Sequence, residues 1–253
     1  MTAIKSATAA LLFSAIAAPA MAATAVGLSG ENELHWLDTE TWTRTGGVTV
    51  TGVEGRLLGI DVRPADGKLY GVFSDGTLAT IDPQSGAATK VSTLATTLAD
   101  GVSATVDFNP AADKLRVMGS DGTSLRVTVE TGEVVTDGSH AYEDGTAPNI
   151  IAGAYTNSYA GTEATQLFNI DGAAGWLVLQ DPPNDGKLNP VGEIGVNPTE
   201  AGFDIASDGE GGNAAWLVVE GGFHSVDLET GATTEAGRID GANVRDIAIL
   251  PAM

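Results

Sequence analysis

The sequence predicts an all-β fold, a β-propeller of five four-stranded blades closed into a ring. Three observations predict it. A hairpin motif recurs at intervals of about 46 residues. A short apolar strand with a central Asp precedes several of its copies by 21 to 23 residues. The two chain ends each carry part of one blade. Glycine is abundant, at 33 residues, while aromatic residues make up 6%; that balance suits many tight turns joining short strands.

The hairpin motif is an alternating strand, a short polar side chain, two spacers, a small residue and Gly. It reads Ile81-Asp82-Pro83-Gln84-Ser85-Gly86, then Val127-Thr128-Val129-Glu130-Thr131-Gly132. It returns at Ile170-Asp171 through Gly175 and at Val226-Asp227-Leu228-Glu229-Thr230-Gly231. A variant near the start, Leu37-Asp38-Thr39-Glu40-Thr41, has Trp42 in place of Gly. The anchors Asp38, Asp82, Thr128, Asp171 and Asp227 are separated by 44, 46, 43 and 56 residues. A side-chain oxygen at the anchor can accept from an N–H two or three residues on, and Gly supplies the positive φ. The anchors therefore read as structural.

The Asp-centred strands are Gly59-Ile60-Asp61-Val62, Val106-Asp107-Phe108 and Phe203-Asp204-Ile205. In the first copy a turn at Pro64 to Gly67, a strand at Leu69 to Phe73 and a turn at Ser74-Asp75-Gly76 follow, and Ala87 to Val91 adds the fourth strand. The second copy repeats this with Leu115 to Met118 and Ser120-Asp121-Gly122. Val244 to Leu250 has the character of a first strand, whereas Val26 to Ser29 and Glu33 to Asp38 resemble second and third strands. Joining them completes a blade and removes exposed edges at the closure. The blades are then 57–98, 103–137, 138–185, 201–239 and a composite one. The third is least regular: its first strand is expected at His140-Ala141-Tyr142, before the acidic turn Glu143-Asp144-Gly145. This irregularity leaves a six-bladed count as the structural alternative.

Residues 1–22 have the pattern of a secretory leader: Lys5, an apolar run from Ala7 to Ala18, Pro19, and the small-x-small site Ala20-Met21-Ala22. The run is too short to span a bilayer, which takes about 20 apolar residues. Residues 23–253 form one expected domain, periplasmic or secreted and monomeric, without a membrane span. It has no cysteine, which excludes thiol catalysis and thiolate metal sites. The net charge is −21, and removal of Lys5 with the leader would make it more negative still. Such a surface repels nucleic acid and anionic lipid and favours cations and basic partners.

Several ordered motifs carry a family resemblance. They are Leu58-Gly59-Ile60-Asp61-Val62-Arg63-Pro64 with Gly67-Lys68-Leu69-Tyr70, and Asp107-Phe108-Asn109-Pro110 with Asp113-Lys114-Leu115-Arg116. Ala154-Tyr155-Thr156-Asn157, Pro182-Pro183-Asn184-Asp185-Gly186 and Gly202-Phe203-Asp204-Ile205 complete the set. Together these resemble the bacterial family called domain of unknown function 4394. The resemblance implies an exported, propeller-like domain and brings no activity or catalytic residue with it.

The candidate chemistry lies in repeated positions and irregular loops. Asp61, Asp107, Asp204 and Asp246 occupy matching positions on the innermost strands, with Asp144 as a fifth candidate. One carboxylate per blade reads first as an acceptor for backbone N–H groups of the next blade. Brought together at a channel, the carboxylates can also hold Ca²⁺, which takes six to eight oxygen ligands, or form an acid–base pair as in glycoside hydrolysis. Arg63, Arg116, Arg126 and Arg245 stand out among 12 basic residues. They are expected to pair with acids, and Arg63 and Arg116 are candidates for holding an anionic ligand at the propeller mouth. The loops at 149–157 and 181–187 add Tyr155, Asn157, Asn184 and Asp185, because propellers carry function on loops. Trp42 and Trp176, near turns, are candidate sugar platforms, with packing the commoner role. No zincin, Walker, dinucleotide-binding or nucleophile-elbow motif is present. The sequence thus predicts an exported propeller that binds a small molecule, glycan or protein, with a carboxylate hydrolase, calcium-dependent in one form, as the alternative.

Overall fold

The computed structural model describes residues 24–250 apart from 197 and 240; the leader segment lies outside the described residues. Twenty strands form five four-stranded antiparallel sheets. The composite blade V holds β1 (Thr24–Ser29), β2 (Glu33–Asp38) and β3 (Thr43–Thr49). Blade I holds β4 (Leu57–Arg63), β5 (Lys68–Phe73), β6 (Thr77–Ile81) and β7 (Ala88–Thr93). Blade II holds β8 (Ala104–Asn109), β9 (Lys114–Gly119), β10 (Ser124–Val127) and β11 (Val134–Thr136). Blade III holds β12 (Ile150–Tyr155), β13 (Leu167–Asp171), β14 (Trp176–Gln180) and β15 (Leu188–Glu193). Blade IV holds β16 (Gly202–Ser207), β17 (Asn213–Val219), β18 (Gly222–Val226) and β19 (Thr233–Arg238). The last strand, β20 (Val244–Ile249), pairs with β1 as the inner strand of blade V, with Ala25 opposite Ile249 and Leu28 opposite Asp246. The ring closes as the sequence predicts, with five blades.

The repeated hairpins form by the expected chemistry. Asp82 Oδ1 accepts from the N–H groups of Gln84 at 2.9 Å and Ser85 at 2.8 Å. Asp38 and Asp227 do the same for residues two and three ahead. Gly86 has φ 72°, and the Gly86 carbonyl accepts from Thr51 N–H of the preceding blade. Trp42 holds the same left-handed conformation at φ 52° without being Gly. Packing offsets the strain: its ring is buried, stacked on Phe223 at 3.9 Å and tilted against Trp216 at 4.2 Å. Trp42 is therefore a core residue between blades IV and V, not a sugar platform. Trp176 packs beside the small cluster of Ile150, Val178 and Leu188.

Blade III departs from expectation. His140-Ala141-Tyr142 is no inner strand; Ala141 makes an isolated parallel bridge to Lys187, and β12 takes the channel position. The Asp171 turn consequently joins β13 to β14, the second and third strands, and the hairpin between third and fourth runs from Asp181 to Gly186. Asp171 was indistinguishable from a true anchor because its Oδ1 accepts from Ala173 and Ala174 just as the anchors do. The motif marks a hairpin without saying which one. Asp144 is exposed and caps its own turn through Thr146 N–H, so it is not a fifth channel carboxylate.

Most of the core lies in the seams between blades. Ile60, Val62 and Phe73 pack on Val26, Leu28 and Ala248 between blades V and I. Tyr70 and Val72 meet Phe108 and Val117 between I and II. Ala154 and Phe168 meet Phe203 and Ile205 between III and IV, and Val218 and Phe223 meet Leu37 and Ile247 between IV and V. Among the described residues the seam between II and III contributes the small cluster of Met118, Tyr155 and Leu167.

Candidate functional site

The inner strands bring four carboxylates to the channel, each 5–9% exposed. Each one bonds across a seam. Asp61 Oδ2 accepts from Phe108 N–H at 2.7 Å, and Asp107 Oδ1 from Tyr155 N–H at 3.0 Å. Asp204 Oδ2 accepts from Ile249 N–H at 2.6 Å, and Asp246 Oδ2 from Ile60 N–H at 2.7 Å. Asp61, Asp204 and Asp246 also cap the N–H of the residue that follows them. The predicted inter-blade acceptor role is thus realised at four of the five seams. The III–IV seam lacks it because Ala154 stands one residue before Tyr155, where β8 has Asp107 before Phe108. In β20 the corresponding residue before Ile249 is Ala248, and Asp246 lies two residues earlier than the matching position the sequence predicts.

The same carboxylates converge. One oxygen from each of Asp61, Asp107 and Asp204 lies within 4.8 Å of the others. No Lys or Arg makes an ion pair with any of the four among the described residues. Burial first, then the neighbouring carboxylates, push Asp61 and Asp107 well above the usual carboxylate range. Burial pushes Asp204 up to about 6 and Asp246 up to about 8, against the pull of their backbone N–H partners. At neutral pH such a group holds protons or a cation, because uncompensated buried charges of one sign are too costly.

A second polar cluster fills the II–III seam. Arg116, 1% exposed, donates from Nε to Tyr155 Oη at 2.7 Å and from Nη1 to Ser124 Oγ at 2.8 Å. It also reaches Asp137 at 3.1 Å and Asn184 Oδ1 at 2.7 Å. Asp137 takes a two-point bond from Arg126 as well, so one carboxylate serves two guanidinium groups. His140 is buried beside this cluster with both ring nitrogens unpartnered among the described residues. Burial and the Arg116 charge push its imidazole down to about 4, so it is neutral at physiological pH.

Three of the six loop and arginine candidates, Arg116, Tyr155 and Asn184, therefore share one network. The other three stand apart. Arg63 makes a two-point bond to Asp113 and reaches Glu130 at 2.7 Å, clipping blade I to blade II. Asn157, at φ 55°, exchanges hydrogen bonds with Asn213 of blade IV. Asp185 is exposed in a single 3₁₀ turn. Since Arg63 and Arg116 are both engaged by acids, neither is the free cation at the mouth that an anionic ligand would need.

Sequence reasoning missed a third region. A cavity of about 30 Å³ opens where the inner strands begin, lined by Arg56, Ser103, Ile151, Thr199, Glu200 and Arg245. Arg245 was expected to pair with an acid. It instead donates to the carbonyls of Gly30 at 3.1 Å, Leu58 at 2.8 Å, and Glu31 and Leu57. Burial pushes its guanidinium down. Spacing gives no signal for this mouth, because its residues come from five separate strand starts. One further pair resembles part of a hydrolase: Ser29 Oγ lies 2.6 Å from His35 Nε2, both buried. His35 Nδ1 has no carboxylate behind it, and burial together with the Arg44 charge pushes the imidazole down. Among the described residues no acid orients the base as in a Ser-His-Asp triad.

Ring closure, inter-blade carboxylates and a narrow polar channel define a five-bladed β-propeller. The chain belongs to the family described as "Domain of unknown function (DUF4394)", whose model matches residues 33–248. No curated protein matches it. A solved protein of unknown function from Bacteroides thetaiotaomicron VPI-5482 is 17% identical with a TM-score of 0.54, over 93% of this chain and 68% of its own. Another, from Bacteroides caccae, is 14% identical with a TM-score of 0.48, over 87% and 73%. At 17% identity the first likeness is one of fold.

Proposed function

We propose that this protein is an exported β-propeller binding module whose channel takes a cation of the calcium class. The observation that carries the proposal is the convergence of Asp61, Asp107 and Asp204, with oxygens within 4.8 Å of one another and no basic partner among the described residues. Two oxygens on one Ca²⁺, each about 2.4 Å from it, lie no more than about 4.8 Å apart. Asp246 and backbone carbonyls of the channel are the further oxygens to recruit, and a bound cation would displace the protons these groups hold. The leader pattern of residues 1–22 supports export. A hydrolase is less well supported. The carboxylates are tied to backbone N–H groups across the seams, which leaves those oxygens engaged rather than free for acid–base work.

The test is a calcium titration of metal-stripped protein, following melting temperature, beside Asp61→Asn and Asp107→Asn. Saturating Ca²⁺ is expected to stabilise the wild type, by about 2.7 kcal/mol at a hundredfold excess over Kd, and neither variant. An unchanged melting temperature in the wild type would leave the carboxylates as protonated inter-blade acceptors and refute the cation site.

A further inference from the structure

The mouth of the channel has a chemistry opposite to that of its interior. Arg56 precedes β4, Ser103 precedes β8, Ile151 lies in β12, Thr199 and Glu200 precede β16, and Arg245 lies in β20, so all five blades contribute to one rim. In a chain with 33 acidic residues, the two guanidinium groups of this rim have no carboxylate partner among the described residues. Arg245 is locked by four backbone carbonyls across the V–I seam. It cannot swing away to find an acid. The exposed Arg56 side chain makes no hydrogen bond or ion pair among the described residues, and its charge acts on Arg245 in the unfavourable direction, against the favourable charges of Asp246 and Glu200. The hydroxyls of Ser103 and Thr199 make no side-chain hydrogen bond there either.

We infer that this mouth is a binding site for the oxyanion head group of a small ligand, a carboxylate or a phosphate, held by Arg56 and the hydroxyls of Ser103 and Thr199 over the fixed charge of Arg245. An oxyanion would replace solvent around the exposed donors of Arg56, Ser103 and Thr199, and a guanidinium is well shaped to hold one. It also relieves the repulsion between two like charges. Glu200, which accepts from Asn243 Nδ2 at 3.1 Å, is the one carboxylate on the rim, so the two arginines leave a net positive charge there. Burial favours the protonated form of the channel carboxylates, which lessens their opposition to an anion above them.

The experiment is isothermal titration of the mature protein with sodium acetate and with inorganic phosphate at constant ionic strength, on wild type, Arg56→Gln and Arg44→Gln. Arg44 is exposed on β3, away from the rim, and its replacement removes the same charge. Saturable binding of at least one anion is expected. Arg56→Gln should weaken it tenfold or more, and Arg44→Gln should leave it within twofold. Phosphate binding without acetate binding would assign a phosphate head group; comparable binding of both would assign a carboxylate-sized site that takes either. No saturable heat with either anion would overturn the inference, as would equal affinities in the two variants. Asp107→Asn should bind the anion like wild type, which separates this site from the cation site proposed for the channel.

Discussion

The I–II and II–III seams of the ring perform the same task with opposite materials. Between blades I and II, Phe108 is fully buried and meets Tyr70 edge-on at 5.3 Å, surrounded by Val72, Val106 and Val117. Between blades II and III the equivalent volume holds Arg116, and its acceptors are Asp137, Tyr155, Ser124 and Asn184. An apolar seam gains free energy from area and tolerates small slips. A buried guanidinium is stable only if each acceptor is in place, so the polar seam demands one arrangement. The acceptors Tyr155 and Asn184 come from the ends of blade III where the repeat is least regular. The irregular blade and the buried arginine of its neighbour are thus complementary.

The largest expected effect tests the apolar side of this comparison. Phe108→Ala should cost about 3–5 kcal/mol in denaturant unfolding, the range for emptying a packed aromatic site. Arg116→Met should cost about 2–4 kcal/mol, since Asp137 keeps Arg126 while Tyr155, Ser124 and Asn184 lose their donor. A neutral or stabilising Arg116→Met would break the comparison by showing that the polar seam packs as well without its charge. Gly86→Val should cost about 1–3 kcal/mol through the left-handed backbone alone. An added Cβ would also run into the Thr49 carbonyl of blade V, so a cost near zero would contradict the assigned contact between the hairpin and its neighbour.

The smallest effect in any one variant concerns the four seams closed by carboxylates. Asp246 is pushed up to about 8 and Asp204 to about 6, so the folded state binds protons that the unfolded chain has released. Their contribution to stability is complete below about pH 4, the unfolded value, and is lost as pH rises through 6 to 8. Turn carboxylates such as Asp38 and Asp82 are pulled down by backbone N–H groups and act in the opposite sense at lower pH. In metal-free protein the melting temperature should fall by several degrees between pH 5 and pH 9, and Asp246→Asn should flatten the alkaline part of that curve. A rising or flat wild-type profile would show that the channel carboxylates are ionised and compensated.

Much of this architecture was legible in the sequence because it rests on local chemistry. Asp82 with Gly86, and Asp227 with Gly231, specify hairpins through contacts within five residues. The alternation of β20 and of β1 identified complementary parts of one blade, and the recurring Asp61, Asp107, Asp204 and Asp246 were assigned to inner strands with an inter-blade role. The site was legible only in part. Arg116, Tyr155 and Asn184 were each singled out, but as separate candidates at mouths and loops rather than members of one buried network. Trp42 showed its place near a turn and hid its role in the core.

By itself the sequence determined the class of fold and the closure by the chain ends, since strand alternation and turn chemistry act between near neighbours; the pairing of β12 with β13 decided five blades against six. Only the tertiary structure decided which Asp turn in blade III is the outer hairpin, because Asp171 and Asp181 each open a short turn that ends in Gly and only pairing partners distinguish them. Only it decided which acids hold Arg63 and Arg116, and that Arg245 bonds to backbone carbonyls on a rim it shares with Arg56. Those encounters join residues as much as 189 positions apart. Ring geometry sets such distances, and no spacing along the chain encodes them.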